Sequence, residues 1–427
     1  MRNLKKVLSI TAAAAMAVST VTPVSVFAES EETFKIGVIG PMTGDYAQYG
    51  NGVYNAAKIA ADEINANGGF NGYQVEILDA GDDQGDPEKA VNAYNDLLDK
   101  GMQMLCGTVT SGACIAVGAE AADSTFPIDF FEKVVEFEKQ YNKHGIRVNN
   151  ALQTNGYLID EAWCEFFQKN HFLIGLSVDG TKEIHDSYRH TKDGKPTFDR
   201  IHHAAELMDR YGVEYNILTV VNQKVASNIT EIYEFYKKQG WNYQQYIACL
   251  DPLDEAHGEN EYALEPKQYG RFLIELFELW YADWKNGTQP YIRQFENYVG
   301  ILLGYQPEAC DQRGICGIQN VVEADGSVYP CDFYMLDEYR LGNFNANQME
   351  EINAKRKEIG FVERSLLLNE ECKVCEYFHI CHGGCQRNRD LNELTGKYQN
   401  YFCESYKMFF AACLPQMKAM VKTLEKR

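Results

Sequence analysis

Eight cysteines stand in one ordered run near the C-terminus: Cys310, Cys316, Cys331, Cys372, Cys375, Cys381, Cys385 and Cys403. Their spacings are C-x5-C-x14-C, then C-x2-C-x5-C-x3-C-x17-C. Eight thiols in such a run can hold two four-cysteine metal centres. Thiolates bind soft and borderline metals, so two chemistries stay open. Four thiolates around zinc make a closed structural site. Four around iron and sulfide make a 4Fe–4S centre and bring redox chemistry. Spacing alone does not separate them. Asp332 follows Cys331 directly. A carboxylate beside a metal ligand can take a proton from a substrate, although the same residue type also caps turns.

The rest of the chain bounds what these centres can serve. The 427 residues carry a formal net charge of −21, and 45% are hydrophobic. That length suits two or three domains with a sizeable core. No basic tract is present to neutralise phosphates, which excludes general nucleic-acid binding. Residues 1–28 read as a secretory signal, with Arg2, Lys5 and Lys6 before an apolar Val7–Val18 stretch and a small residue, Ala28, before the expected cut. Ser, Thr and Pro interrupt that stretch, so no stable membrane span is expected. A signal sends the chain to an oxidising compartment, where cysteines pair as disulfides. The x2 and x3 loops are better chelates than disulfide frameworks, and an iron–sulfur enzyme belongs in the cytoplasm. The two ends thus point to different compartments.

Residues 33–127 alternate strands and helices. Strands are expected at 34–40, 73–78 and 102–107, and helices at 49–65, 87–98 and 111–122. The first helix places Ala56, Ala57, Ile59, Ala60 and Ile64 on one side, the expected packing face. This βαβαβα order implies a parallel sheet. Lys35 to Gly44, Ala57 to Gly69, and Asp82-Asp83-Gln84 with Pro87 together resemble the periplasmic binding proteins for branched-chain amino acids. The resemblance covers about 95 residues, the beginning of one lobe. It implies that the loop Thr108-Val109-Thr110-Ser111-Gly112 helps hold a ligand carboxylate, for which helix N–H groups are suited. Read without it, the loop is a helix cap.

From residue 128 the text changes. Helices are expected at 131–141, 158–169, 198–211, 229–239, 266–284 and 291–303. Strands are expected at 146–153, 172–178, 214–221 and 243–250. Gln153-Thr154-Asn155-Gly156, Ser177-Val178-Asp179-Gly180 and Asn222 sit at strand C-terminal ends, the functional face of an α/β barrel. Asp325-Gly326 marks a hairpin that returns the chain to Cys331-Asp332.

The cysteine array resembles the SPASM domain of radical S-adenosylmethionine enzymes. Ala151 to Gly156, Leu176 to Gly180, His185-Asp186-x-Tyr188-Arg189, Tyr246 to Pro252 and Pro330-Cys331-Asp332 narrow the resemblance to the anaerobic sulfatase-maturating enzymes. The resemblance runs from Ile128 to the end. It implies oxidation of a sulfatase cysteine or serine to formylglycine, with a sulfatase polypeptide as partner. It implies two auxiliary 4Fe–4S clusters, one on Cys310, Cys316, Cys331 and Cys385, the other on Cys372, Cys375, Cys381 and Cys403. It makes Asp332 the base that deprotonates the substrate side chain. It places Ser177 in contact with S-adenosylmethionine and offers Arg189 as a partner for that molecule's carboxylate. Without it, Arg189 is a surface salt bridge.

The family starts its reaction at a third cluster on a C-x3-C-x2-C loop. No such loop occurs before Ile128. Cys106, Cys114, Cys164 and Cys249 read as small buried hydrophobes instead. The expected fold is therefore α/β: a partial radical S-adenosylmethionine (β/α) barrel over 128–305 and a SPASM domain over 306–427, preceded by a truncated binding-protein segment over 29–127. The implied function is that of a sulfatase maturase whose initiating cluster motif is missing. The alternatives are an exported branched-chain amino acid-binding protein and a non-functional hybrid.

Overall fold

The computed structural model describes residues 33–70, 72–122, 128–191, 194–253, 257–258, 260–392 and 397–425. The expected signal over 1–28 lies outside them. Two compact units divide at Pro127/Ile128.

The first unit is a small parallel sheet. Strand β1 (Thr33–Gly40) is followed by helix α1 (Ala47–Ala66), β2 (Gln74–Ile77), the short β3 (Gly81–Asp82), α2 (Pro87–Asp99), β4 (Met104–Cys106) and α3 (Ser111–Ala122). β1 is central and pairs in parallel with β2, β3 and β4. Helix α2 starts where Asp86 accepts a hydrogen bond from Lys89 N at 3.0 Å, with Pro87 fixing the first helical φ. Its Ala90, Tyr94 and Leu97 close on Ile39, Met102, Ala113 and Val117.

The expected packing face of α1 is not the one used. Ala56, Ile59, Ala60 and Ile64 are exposed and Ala57 is half-buried, while the helix buries Gly50 and Ala61 and half-buries Val53, Tyr54 and Asn65. Asn65 decides the rotation, because its amide bridges both main-chain groups of Val75 on β2 at 2.7 and 2.8 Å. Cys114 is likewise exposed, since α3 turns Ala113 and Val117 inward instead.

The second unit opens with α4 (Ile128–Tyr141) and five βα steps. These are β5 (Ala151–Thr154), α5 (Glu161–Asn170), β6 (Leu173–Ser177), α6 (Lys182–His185), α7 (Phe198–Tyr211), β7 (Tyr215–Val221), α8 (Gln223–Ser227), α9 (Ile229–Gln239), β8 (Tyr243–Ala248), α10 (Pro266–Asn286), β9 (Tyr291–Ile292) and α11 (Arg293–Leu302). The strands form one parallel sheet in the order β5-β6-β7-β8-β9. Residues 146–150, read as strand from sequence, are irregular: Asn142 takes both main-chain groups of Ile146, at 2.5 and 2.7 Å, away from any ladder. Helix α5 starts at Glu161 because Asp160 caps Trp163 N at 3.0 Å.

The remaining chain is α12 (Cys310–Arg313), β10 (Val321–Val322), β11 (Ser327–Tyr329), β12 (Gly342–Asn343), α13 (Met349–Glu358), α14 (Phe361–Arg364), α15 (Glu370–Lys373), α16 (Phe378–Cys381), β13 (Arg389–Asn392), β14 (Lys397–Asn400) and α17 (Cys403–Leu424). Strands β10, β11 and β12 form an antiparallel sheet around the Asp325-Gly326 turn. Helix α17 lies along α10 and α11, where Phe409 meets Phe277 and Phe295, each at 5.8 Å between ring centres. Phe410 meets Tyr298 edge-on at 5.1 Å. Fully burying such a side chain contributes about 1.5–3 kcal/mol. One hydrophobic core thus runs from the βα sheet into the C-terminal helix.

Candidate metal centres

All thirteen cysteines lie among the described residues and none forms a disulfide. Four of them surround one cavity. Cys372 and Cys375, one turn apart on α15 and its exit, face Cys381 at the end of α16 and Cys403 at the start of α17. The cavity is about 40 Å³, walled also by Tyr377, Phe378, Tyr406 and Phe410. That exceeds the space of one water molecule or ion and suits a group of several atoms. Among the described residues no three His, Cys, Asp or Glu side chains gather tightly enough for a single metal ion. A four-thiol shell in an aromatic wall can hold an iron–sulfur group.

Cys310, Cys316, Cys331 and Cys385 form the second gathering. Charge on Cys310 and Cys316 acts on Cys385, and charge on Cys385 acts on Cys331. Cys381 instead feels Cys403, Cys372 and Cys375. Burial pushes the Cys331, Cys381 and Cys385 thiols up to about 12. Such thiols stay protonated at neutral pH until a cation takes the place of the proton. Main-chain and amide donors already aim at the sulfurs: Arg387 N–H at Cys385 Sγ (3.4 Å) and Gln386 Nε2 at Cys316 Sγ (3.1 Å). Asp332 is exposed, in a single 3-10 turn after Cys331, and its Oδ1 accepts from the Cys331 thiol at 3.2 Å.

A left-handed turn separates the two sets. His382, Gly383 and Gly384 have φ of 52°, 81° and 69°. Three such residues in succession reverse the chain between Cys381 and Cys385, so neighbours in sequence face different groups of thiols. A Cβ on Gly384 would meet Asn400 Nδ2 at 2.4 Å. Gly314, with φ of 70°, lets its segment press on the same turn; a Cβ there would meet His382 O at 2.1 Å. His382 Nδ1 donates to Gln312 O at 2.7 Å and ties the loop between Cys310 and Cys316 to the turn. The Gly-Gly pair was the visible signal for this turn.

At the strand C-terminal ends, Ser177 closes β6, in register with Leu218. Asp179, 4% exposed in its side chain, accepts from Val220 N at 2.8 Å and from Arg189 Nε at 2.5 Å. The Arg189 pair is therefore half-buried rather than on an open surface. His185 is fully buried: Asp179 N–H donates to its Nδ1 (3.1 Å), and its Nε2–H reaches Thr197 Oγ1 (3.2 Å). Thr197 Oγ1 in turn donates to Arg189 O at 2.9 Å. Sequence reasoning missed this chain of bonds, since nothing in the string marks His185 as a neutral support of Arg189.

Burial holds His185 down to about 4, from an ordinary value of 6.5. The unfolded chain takes up its proton below about 6.5, whereas the folded chain resists until about 4. Stability is therefore lost as pH falls through this window, by ~2 kcal/mol between pH 7.5 and pH 5. Urea unfolding at both pH values should show this loss in the natural protein and not in His185→Gln. Equal losses in the two would rule it out.

A cavity of about 750 Å³ lies among the N-terminal halves of β5 to β8, lined by Gln153, Asn216, Gln245 and Arg293 among others. Ser177, Asp332 and the eight cysteines do not line it, so it is not the site of their chemistry. In the first unit, Thr108 Oγ1 and Thr110 Oγ1 are buried without a hydrogen-bond partner among the described residues. Cys164 is buried as expected of a small hydrophobe, with its thiol raised to about 11. Among the described residues no helix is long and apolar enough to cross a membrane.

Comparison with known proteins finds two kinds of relative along the chain. Residues 33–128 match the periplasmic binding protein family. They resemble the Leu/Ile/Val-binding protein BraC3 of Rhizobium johnstonii, 43% identical over 89 residues, 21% of this chain and 24% of that protein. Residues 315–376 match the SPASM iron–sulfur cluster-binding domain. The cysteine-type anaerobic sulfatase-maturating enzyme of Clostridium perfringens is 40% identical over 330 residues, 77% of this chain and 89% of that enzyme. The solved structure of native anSMEcpe with bound AdoMet and Cp18Cys peptide is similar with a TM-score of 0.67 and 33% identity, covering 91% of this chain and 99% of that one.

Proposed function

The chain belongs to the anaerobic sulfatase-maturating enzymes of the radical S-adenosylmethionine/SPASM class, and from this we propose that residues 128–427 are a maturase scaffold carrying two auxiliary 4Fe–4S clusters. The observation that carries this reading is the sorting of eight cysteines into two four-thiol sets on either side of the 382–384 turn. Such clusters supply electron acceptance and low-potential electron transfer. Cys310, Cys316, Cys331 and Cys385 hold one, and Cys372, Cys375, Cys381 and Cys403 the other.

The chain's own residues then take these roles. Asp332 receives the proton of the substrate side chain. With Cys331 as a ligand its sulfur would carry no proton, which would leave Asp332 Oδ1 free to accept the substrate's proton. Arg189, steadied by Asp179 and Thr197, presents its guanidinium to the carboxylate of S-adenosylmethionine, and Ser177 touches the same molecule. The partner is a sulfatase polypeptide. Greater likeness to a cysteine-type relative favours a cysteine as the oxidised residue. The initiating C-x3-C-x2-C is not in the sequence, so the scaffold stops short of turnover. A reducing, cytoplasm-like compartment suits the thiols. The first unit corresponds to about a quarter of its binding-protein relative, and a cleft between two lobes needs more than that match supplies.

The test is anaerobic reconstitution with iron and sulfide. About eight irons per chain and broad iron–sulfide absorbance are expected. Tightly held zinc without that absorbance would overturn the reading.

A further inference from the structure

We propose that Arg389 is the shared positive counter-charge of the two four-cysteine centres, a single buried guanidinium set between them that eases the entry of an electron into each. The inference rests on the reading of both sets as iron–sulfur centres. Arg389 opens β13 and is 6% exposed. Its Nε donates to Gly383 O and its Nη2 to Gly314 O, each at 3.1 Å. Nη1 also donates to Ser365 O and Nη2 to Gly384 O. Every one of these acceptors belongs to a segment that fixes a ligand cysteine. Gly314 lies two residues before Cys316. Ser365 Oγ accepts from Cys316 N–H at 3.0 Å. Gly383 and Gly384 form the turn between Cys381 and Cys385.

These carbonyls satisfy the guanidinium's geometry but are neutral. A buried cation also needs opposite charge. With the cysteines as metal-bound thiolates, the charges that would offset its burial come from both centres: Cys385 and Cys316 on one side, Cys372 and Cys381 on the other. Arginine suits the position better than lysine, because its planar fork of five donors can bind several carbonyls while its charge stays fixed. Reduction adds one electron, and so one negative charge, to a centre. A nearby fixed cation stabilises the reduced form more than the oxidised one. The same group would act on both centres because it lies between them.

The experiment compares the natural protein, Arg389→Gln and Arg389→Lys, each reconstituted anaerobically as the full chain. Iron is counted, and each centre is titrated potentiometrically with dithionite and followed by electron paramagnetic resonance. For Arg389→Gln at full iron content, the ratio of reduced to oxidised centre at fixed potential should fall at least tenfold at both centres, a downward shift of about 59 mV or more for a one-electron couple. Arg389→Lys should restore most of it. Unchanged midpoints in an iron-replete Arg389→Gln, or a shift at one centre only, would overturn the proposal. If Arg389→Gln does not load, Arg389→Lys decides: near-natural midpoints support the charge role, and lowered ones overturn it. Equal loss of iron from both variants would show a purely structural fork and likewise overturn it. Failure of the natural protein to load iron would instead defeat the reading of the centres themselves.

Discussion

Cys385→Ala should remove one iron–sulfur centre, or convert it to a three-iron form, and leave the other untouched. Its spectrum should match that of Cys331→Ala and differ from that of Cys375→Ala. Iron should fall from about eight to about four per chain where the centre is lost. Cys381→Ala, four residues earlier, should do the opposite and match Cys375→Ala. The reason lies in the left-handed run at His382, Gly383 and Gly384, which sends Cys381 to the aromatic-walled cavity and Cys385 to Cys310 and Cys316. The competing assignment keeps the local run Cys372, Cys375, Cys381 and Cys385 together. It requires Cys385→Ala and Cys375→Ala to share one spectrum, and that result would defeat the partition. Anaerobic reconstitution with iron analysis and low-temperature electron paramagnetic resonance reads both outcomes.

The second large effect is on S-adenosylmethionine cleavage. With both centres loaded and dithionite present, the protein should form no 5′-deoxyadenosine above a protein-free control. Reductive cleavage needs a cluster with one iron left open to bind the substrate, which three cysteine ligands provide and four do not. Each proposed centre would have four thiol ligands, and the three-cysteine loop that the family uses is not in the sequence. The loss should be total rather than graded, because the electron has no route to the sulfonium. Binding can persist through Arg189 and Ser177, so the measurement must follow product by chromatography rather than affinity. More than one equivalent of 5′-deoxyadenosine per chain would mean that one of these centres opens a coordination site. The cysteine variants above would then show which.

Much of the fold was legible where local chemistry sets it. Helix α7 buries Phe198, Ile201, Ala204, Ala205 and Met208 at helical spacing, so its period shows in the string. The Asp325-Gly326 hairpin was equally plain, because Asp325 binds its own turn through Ser327 N and Oγ at 2.8 Å. Reading failed where a distant partner outweighed the pattern. The apolar side of α1 faces out because Asn65 locks the helix to Val75. Residues 146–150 have strand-like residues, but Asn142 takes both main-chain groups of Ile146. The networks around His185 and Arg389 left no trace in the string, since their partners lie up to 75 residues away.

The sequence by itself determined the ligand types, their number and the family text around them, because thiol chemistry and short chelate spacings are local properties. It determined equally that the start of the chain is text of another kind. The tertiary structure decided which thiols face one another, because that depends on the direction in which three left-handed residues turn the chain. It also decided that a single buried guanidinium stands between the two sets, because burial and the approach of Gly314, Ser365 and Gly384 to one side chain are set only when the whole unit packs.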